Sequence, residues 1–303
     1  MSSKLSILVV TWNSWGDLER LLDSLLRADV ADSEILVIDN GSVDDTPARL
    51  AARYGERVRL HVNPVNLGLP PAVNLGLRLA RGEYVMLLDV DTEVRPDTAA
   101  RLLAFMEAHP EVDLAAPRIL TPEGQDEGTA RNLPSVMNGL FGRQSRLSRL
   151  FPANPFTRHY MRVSAYSEHE PYPVEQVSAA CMFMRRSLLD EAGPWDEVYR
   201  CYWVDTDWCA RLKRLGRKVY CVPAARITHY ENNRAGKKKS LWRIWHFHAG
   251  AFRLYRKHYV LGPFDPRLLL AGAALLLRTG LMVVLNELQP AASPPSLPKS
   301  GAR

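Results

Sequence analysis

The chain has 303 residues, 47% hydrophobic and 24% charged, with 18 Gly and 21 Pro, an ordinary globular composition that excludes a disordered, collagenous or low-complexity protein. This length allows one large α/β domain or two smaller ones, each able to bury a real core. Lys and Arg total 39 against 33 Asp and Glu, a formal charge of +6, and an excess of that size does not by itself argue for nucleic acid, which is not expected as a partner.

Residues 5–10 form a branched, apolar run of strand length, as a buried parallel strand requires. Over 17–27, Leu18, Leu21, Leu22, Leu25 and Leu26 recur at helical spacing. A second strand over 34–38 runs into Asp39-Asn-Gly-Ser42, which is loop chemistry. Helix over 46–54, a short strand over 58–62 and helix over 69–80 follow, with Pro70 and Pro71 confined to the first turn of the last. Residues 84–88 are a fourth strand, closing on Asp89-Val-Asp91. Strands and helices alternating in this order predict a doubly wound parallel sheet. Ligands of such sheets bind at the carboxyl ends of the strands, where Thr11-Trp12-Asn13, Asp39, and Asp89 with Asp91 fall.

The stretch 121–175 is rich in Pro, Gly, Ser and Arg and weakly periodic, so it reads as long loops with short helices on the acceptor side. Order returns with a strand over 177–185, helix over 187–192, helix over 205–215 and strand over 218–222. From Arg234 to Lys257 the bases Arg234, Lys237, Lys238, Lys239, Arg243, Arg253, Arg256 and Lys257 interleave with Trp242, Trp245, Phe247, Phe252 and Tyr255. That mixture fits an anionic surface such as lipid headgroups or a polyprenyl diphosphate, and equally a solvated helix face. Residues 268–285 approach spanning length, but Arg278 near their middle favours a helix lying on a membrane surface or packed on the domain. The tail 291–303 reads as disordered.

Cys181, Cys201, Cys209 and Cys221 form neither a CxxC pair nor a Cys/His knuckle, so zinc is not expected. The apolar run 5–10 is too brief for a signal core, and reduced thiols in a cytosolic protein are the expectation. GxGxxG, GxxxxGK[ST] and GxSxG are all absent, which leaves nicotinamide dehydrogenases, P-loop enzymes and the common hydrolase elbow unsupported. A nucleotide-binding topology without a phosphate loop needs a metal to offset phosphate charge, and this points to nucleotide-sugar chemistry.

Asp89 and Asp91 point the same way on extended chain, so two hard oxygen donors can share one Mg²⁺ or Mn²⁺ that also holds a diphosphate. A solvated pair opening a turn explains the spacing as well. Asp205 and Asp207 begin a helix, where the dipole favours ionised carboxylates. Asp205 there is either a general base or an N-cap. His229 is a candidate ligand placed after the last strand, or a structural histidine.

Seven pieces in order resemble the family 2 GT-A glycosyltransferases, and among them the rhamnosyltransferase-like branch. They are Val9-Val-Thr-Trp-Asn13, Val37-Ile-Asp-Asn-Gly-Ser42, Asn66-Leu-Gly68 with Asn74-Leu-Gly76, Leu88-Asp-Val-Asp91, Ala179-Ala-Cys-Met-Phe-Met-Arg-Arg186, Gly193-Pro-Trp-Asp-Glu197 and Asp205-Thr-Asp-Trp-Cys-Ala-Arg211. The resemblance implies a GT-A (nucleotide-diphospho-sugar transferase) fold, a mostly parallel twisted sheet flanked by helices, with a C-terminal helical extension. On that reading a catalytic domain covers 1–233, divided into a nucleotide-sugar half (1–120) and an acceptor half (121–233), followed by a basic and apolar helical extension over 234–290. It further implies that Thr11, Asn13, Asp39 and Ser42 line the nucleotide site, with Asn66 and Gly68 supporting it from the next loop and Asp89 opening the Asp-x-Asp motif. Asp91 and His229 would hold Mg²⁺ or Mn²⁺, and Asp205 matches the acidic residue taken as catalytic base, with Asp207 the alternative base.

The implied activity is inverting transfer from a nucleotide-sugar, dTDP-rhamnose first, to a glycan or polyprenyl-linked acceptor in cell-surface polysaccharide synthesis, in the cytoplasm at the inner face of the cell membrane. Three departures stand out: Val204 precedes Asp205 where the family usually has Glu, Pro70-Pro71 replaces small residues, and Trp12 replaces the commoner Tyr. UDP- and GDP-hexose donors, a nucleotidyltransferase, and a degenerate binding module remain the alternatives.

Overall fold

The computed structural model describes residues 3–28, 33–128, 130–139, 146–161, 167–200, 202–230 and 240–288. They divide into two compact units, Met1–Tyr230 and Glu231–Arg303. The first unit opens with β1 (Leu5–Thr11), α1 (Trp15–Arg27), β2 (Ser33–Asp39), α2 (Thr46–Tyr54), β3 (Arg59–Val62), α3 (Leu69–Leu79) and β4 (Tyr84–Asp89). These are the alternating elements that the apolar periodicity predicts. It continues with β5 (Thr92–Val94), α4 (Thr98–Ala108), β6 (Leu114–Leu120), α5 (Arg146–Leu150), α6 (Pro155–Tyr160), β7 (Tyr172–Val174), β8 (Cys181–Arg185), α7 (Leu188–Ala192), α8 (Val204–Arg214) and β9 (Val219–His229). The second unit holds α9 (Leu241–His258) and α10 (Arg267–Glu287).

One sheet runs through the first unit in the order β3-β2-β1-β4-β8-β6-β9-β5, with β7 pairing β9. β3, β2, β1 and β4 are mutually parallel, and their registers set Thr11 beside Asp39 and Val10 beside Asp89. The strand order reverses at β1/β4, the switch point at which open α/β sheets bind ligands. Beyond β4 the pairing becomes mixed: β8 is antiparallel to β4 and β6, and β5 and β7 are antiparallel to β9.

Alternation along the strands builds a core on each face of the sheet. Leu5, Ile7 and Val9 face the layer of α1 and α4, where Leu18, Leu21, Leu22 and Leu25 are fully buried. Leu8, Leu36 and Ile38 face the layer containing Ala72, Val73, Leu77, Trp195, Trp208 and Leu212. Asp17 in the first turn of α1 and Arg27 in its last suit the helix dipole. Gly76 lets α3 lie close on the sheet, since a Cβ there would meet Leu8 Cδ1 at 2.3 Å.

Several boundaries differ from the sequence reading. β9 does not stop at 222 but continues to His229, which therefore ends a strand instead of following one. The strand over 177–185 shortens to Cys181–Arg185, because 178–180 turn before it. β6 and the three-residue β5 and β7 carry too few alternating residues to show in the pattern. Within 121–175, α5, α6 and β7 are short elements between loops. Cys201, Arg234, Lys237, Lys238, Lys239 and the tail 291–303 lie outside the described residues.

Candidate active site

The carboxyl ends of β1 and β2 are stitched together by polar groups. Asn40 N–H donates to Thr11 O at 2.8 Å, and Ser42 N–H donates to the buried Asp39 Oδ1 at 2.9 Å. Asn13 closes the gap between the two loops: its N–H donates to Ser42 Oγ at 2.8 Å and its Oδ1 accepts from Val43 N–H at 2.8 Å. Thr11, Asn13, Asp39 and Ser42 thus occupy one cluster. Thr11 Oγ1 and Asp39 Oδ2 are buried in it with no hydrogen-bond partner among the described residues. Trp12, between Thr11 and Asn13 in sequence, is 50% exposed, an open aromatic face at the strand end.

The next loop is tied in by a residue that the sequence reading passed over as loop chemistry. Asn40 Nδ2 donates to Asn66 Oδ1 at 3.0 Å and to Gly68 O at 3.1 Å, and Asn40 Oδ1 accepts from Asn63 Nδ2 and Leu67 N–H, each at 3.1 Å. Gly41, with φ +75°, sits so close to this loop that a Cβ would meet Val65 C at 2.5 Å. Asn66 and Gly68 are therefore held near the β2 end through Asn40.

The carboxylate pair follows the switch point. Asp89 ends β4 and Asp91 lies two residues on, before β5. β5 pairs antiparallel with β9, placing Thr92 opposite His229. Tyr230 N–H donates to Asp91 O at 2.8 Å. As a result, ligand atoms of Asp89, Asp91 and His229 all lie within 4.8 Å of one another. His229 Nε2 is 3.3 Å from Asp91 Oδ1, and Nδ1 is 3.1 Å from both carboxylate oxygens of Glu127. Burial alone would lower the His229 pKa, but the hydrogen bonds to Asp91 and Glu127 raise it to about 10. Two carboxylates and an imidazole are a donor set suited to Mn²⁺ or Mg²⁺, so the residues present fit a divalent cation.

Asp205 and Asp207 both lie in the first turn of α8, whose N-cap is Trp203 and not Asp205. Asp207 is fully buried, 3.3 Å from Arg211 Nε, and accepts from Tyr199 Oη at 3.3 Å. Asp205 is partly exposed, its Oδ1 accepting from Thr206 N–H at 2.7 Å. Among the described residues no hydrogen bond joins Asp205 to either cluster. Val204 is buried in the core, 2% exposed, where a Glu side chain would find no water. The described non-glycine residues with left-handed backbone are Asn13 (φ 48°) and Trp203 (φ 74°), and each flanks a candidate segment, as backbone strain tends to. Cys181, Cys209 and Cys221 are buried and free. Burial pushes the Cys209 and Cys221 thiols up to about 12 and Cys181 also up, so none is a poised nucleophile.

Similarity to known proteins covers most of the chain. The Glycosyl transferase family 2 model matches residues 6–193. The N-acetylglucosaminyl-diphospho-decaprenol L-rhamnosyltransferase of Mycobacterium tuberculosis is 30% identical over 294 residues, covering 93% of this chain and 94% of its own. The amylovoran biosynthesis glycosyltransferase AmsE of Erwinia amylovora is 24% identical over 255 residues, covering 83% and 84%. Among solved structures, the mannosyltransferase PcManGT from Pyrobaculum calidifontis in complex with GDP-Man and Mn²⁺ superposes with a TM-score of 0.59 at 19% identity, over 95% of this chain and 74% of that one. GalNAc-T7 with UDP, GalNAc and Mn²⁺ gives 0.57 at 19% identity, over 74% and 42%. The family match runs from the first strand past the Asp-x-Asp pair, and the fold likeness extends beyond it: this chain belongs to glycosyl transferase family 2, and it is a glycosyltransferase with the GT-A fold.

Proposed function

We propose that the enzyme moves a sugar, with inversion, from a nucleotide-diphosphate donor to a hydroxyl of a lipid-linked glycan, with dTDP-rhamnose the first donor to test. The observation that carries this reading is the convergence of Asp89, Asp91 and His229 just beyond the β1/β4 switch point. The Thr11, Asn13, Asp39 and Ser42 cluster accepts the nucleoside. Asp39 Oδ2, which has no hydrogen-bond partner among the described residues, offers an acceptor for a donor group on the base, and Trp12 a face for its ring. A cation held by Asp91 and His229, with Asp89, would neutralise charge on the departing diphosphate. Asp205, in the first turn of α8, takes the acceptor proton as the hydroxyl attacks. A single displacement needs no covalent intermediate, in keeping with the buried, protonated thiols of Cys181, Cys209 and Cys221.

The acceptor class and location rest on the relative named above and on the second unit. The 18-residue window of α10 that marks it as a candidate span has a mean hydropathy of 2.2 and is 0% buried, by composition long and apolar enough to cross a membrane. α9 pairs with it around a groove of about 390 Å³ lined by Trp245, Phe252, Leu275 and Leu276, with Arg253 and Arg256 also in its lining. A lipid surface with anionic headgroups matches both features and supports a location at the inner face of a membrane. The test is transfer from dTDP-rhamnose to N-acetylglucosaminyl-diphospho-polyprenol, with product anomeric configuration read by NMR and UDP- and GDP-hexoses run in parallel. Transfer with inversion from one donor supports the proposal; retention of configuration, or no turnover from any donor, overturns it.

A further inference from the structure

His229 is gripped at both ring nitrogens, and the second grip comes from a residue that no motif singles out. β6 ends at Leu120 and the chain reverses through a tight turn, with Gly124 N–H donating to Thr121 O at 2.9 Å and Thr121 N–H to Gln125 O at 2.7 Å. The returning segment pairs Asp126 with Leu120 in a single antiparallel bridge, and Glu127 N–H donates to Ile119 O at 3.0 Å. Arg118 fixes the turn from below, its Nε 2.8 Å from Asp126 Oδ2. β6 also runs parallel to β9, with Leu120 beside Thr228. The return leg therefore brings Glu127 against the end of β9, where its two oxygens face His229 Nδ1 at 3.1 Å.

Glu127 is only 12% exposed, and among the described residues its side-chain partner is His229 alone. A buried carboxylate is costly unless paired. Among the described residues no Lys or Arg pairs with this one, and the imidazole is the partner that holds it. A carboxylate accepting from Nδ1–H leaves Nε2 as the nitrogen free to ligate, and it orients the ring. Nε2 is the nitrogen that faces Asp91.

We propose that Glu127 is a positioning residue of the cation site: it holds His229 with the proton on Nδ1 and aims Nε2 at the cation shared with Asp91 and Asp89. The inference rests on the metal reading of the preceding section. A purely structural Glu127 would be a strut fastening the 121–127 turn to β9, and would support folding without touching affinity for metal.

The experiment titrates the full chain with Mn²⁺ alone, reading free Mn²⁺ by electron paramagnetic resonance, and records the metal-free melting temperature of each variant. Glu127→Ala should weaken Mn²⁺ binding about 10-fold or more, the size usual for carboxylates behind a ligating histidine. Glu127→Gln, isosteric and still able to accept from Nδ1–H, should lose less. In a His229→Ala background, adding Glu127→Ala should change affinity less than about 2-fold, because there is no ring left to orient. Wild-type affinity in both Glu127→Ala and Glu127→Gln, or an undiminished further loss in the His229→Ala background, overturns the inference while leaving the metal site standing. A wild-type protein that binds no Mn²⁺ overturns the metal reading and this inference together.

Discussion

Two residues apart in α8, Asp205 and Asp207 separate by environment. Asp207 is buried beside Arg211 and Tyr199, so its carboxylate holds the helix to the 196–199 turn and has no path to an acceptor. Removing one member of a buried pair typically costs about 3–5 kcal/mol, and Asp207→Ala should lower stability by that order in urea unfolding. Asp205→Asn should leave unfolding unchanged within about 0.5 kcal/mol and reduce kcat by roughly 10²–10⁴. The reverse pattern would move the base to Asp207. The sequence showed two acids at a helix start and no more, because which of them faces the core is set by the turn through Trp203 at φ 74°. Glu34 gives a pH-dependent counterpart at the opposite end of the strands. Burial alone would raise its pKa, but bonds from Ser6 Oγ, Arg81 N–H and Arg59 outweigh this and lower it. A depressed folded pKa stabilises above the ordinary carboxylate value near 4.3, and that contribution fades as pH falls through the folded value. Glu34→Gln should therefore cost about 1–2 kcal/mol at pH 7, and the gap from wild type should narrow in acid unfolding below about pH 4.

At the scale of elements, what the sequence made legible was what periodicity encodes. β1 to β4 and α1 to α3 stand where branched runs and leucine spacing put them, and the carboxyl-end residues follow from that order. Strand pairing at long range was not legible. The contact of Asp91 with His229 depends on a three-residue strand, β5, meeting β9 some 135 residues later, and Glu127 depends on a turn with no apolar pattern at all. Asn74 shows the same limit. Its motif and Gly193-Pro-Trp-Asp-Glu197 read as separate pieces, yet Asn74 Nδ2 donates to Trp195 O at 2.9 Å while Trp195 N–H donates to Asn74 Oδ1 at 2.8 Å. That reciprocal pair, buried at 2% exposure, fastens α3 to the segment ahead of α8. Asn74→Ala should destabilise by about 2–4 kcal/mol in denaturant unfolding, since two buried backbone groups lose their partner. A loss below 0.5 kcal/mol would mean that water replaces the amide and the fastening is not structural.

At the scale of the whole molecule, the proposed enzyme carries a nucleotide-sugar site and a C-terminal unit suited to an anionic lipid surface. Co-sedimentation with phosphatidylglycerol vesicles should exceed that with phosphatidylcholine, and should weaken at high salt and in Arg253→Glu/Arg256→Glu. Equal binding to both lipids at all salt concentrations would show that apolar contact through α10 suffices. The central claim concerns the donor site, and metal-dependent nucleotide binding tests it most directly. The measurement is thermal stabilisation by saturating dTDP, UDP and GDP, each with and without Mn²⁺, on wild type and Asp91→Ala. At about a hundred times its dissociation constant a ligand adds roughly 2.7 kcal/mol, a shift of several degrees for a chain of this size. One diphosphate, dTDP first, should give that shift only with Mn²⁺ and only when Asp91 is intact. Stabilisation that ignores the metal, persists in Asp91→Ala, or is absent with all three diphosphates contradicts the central claim.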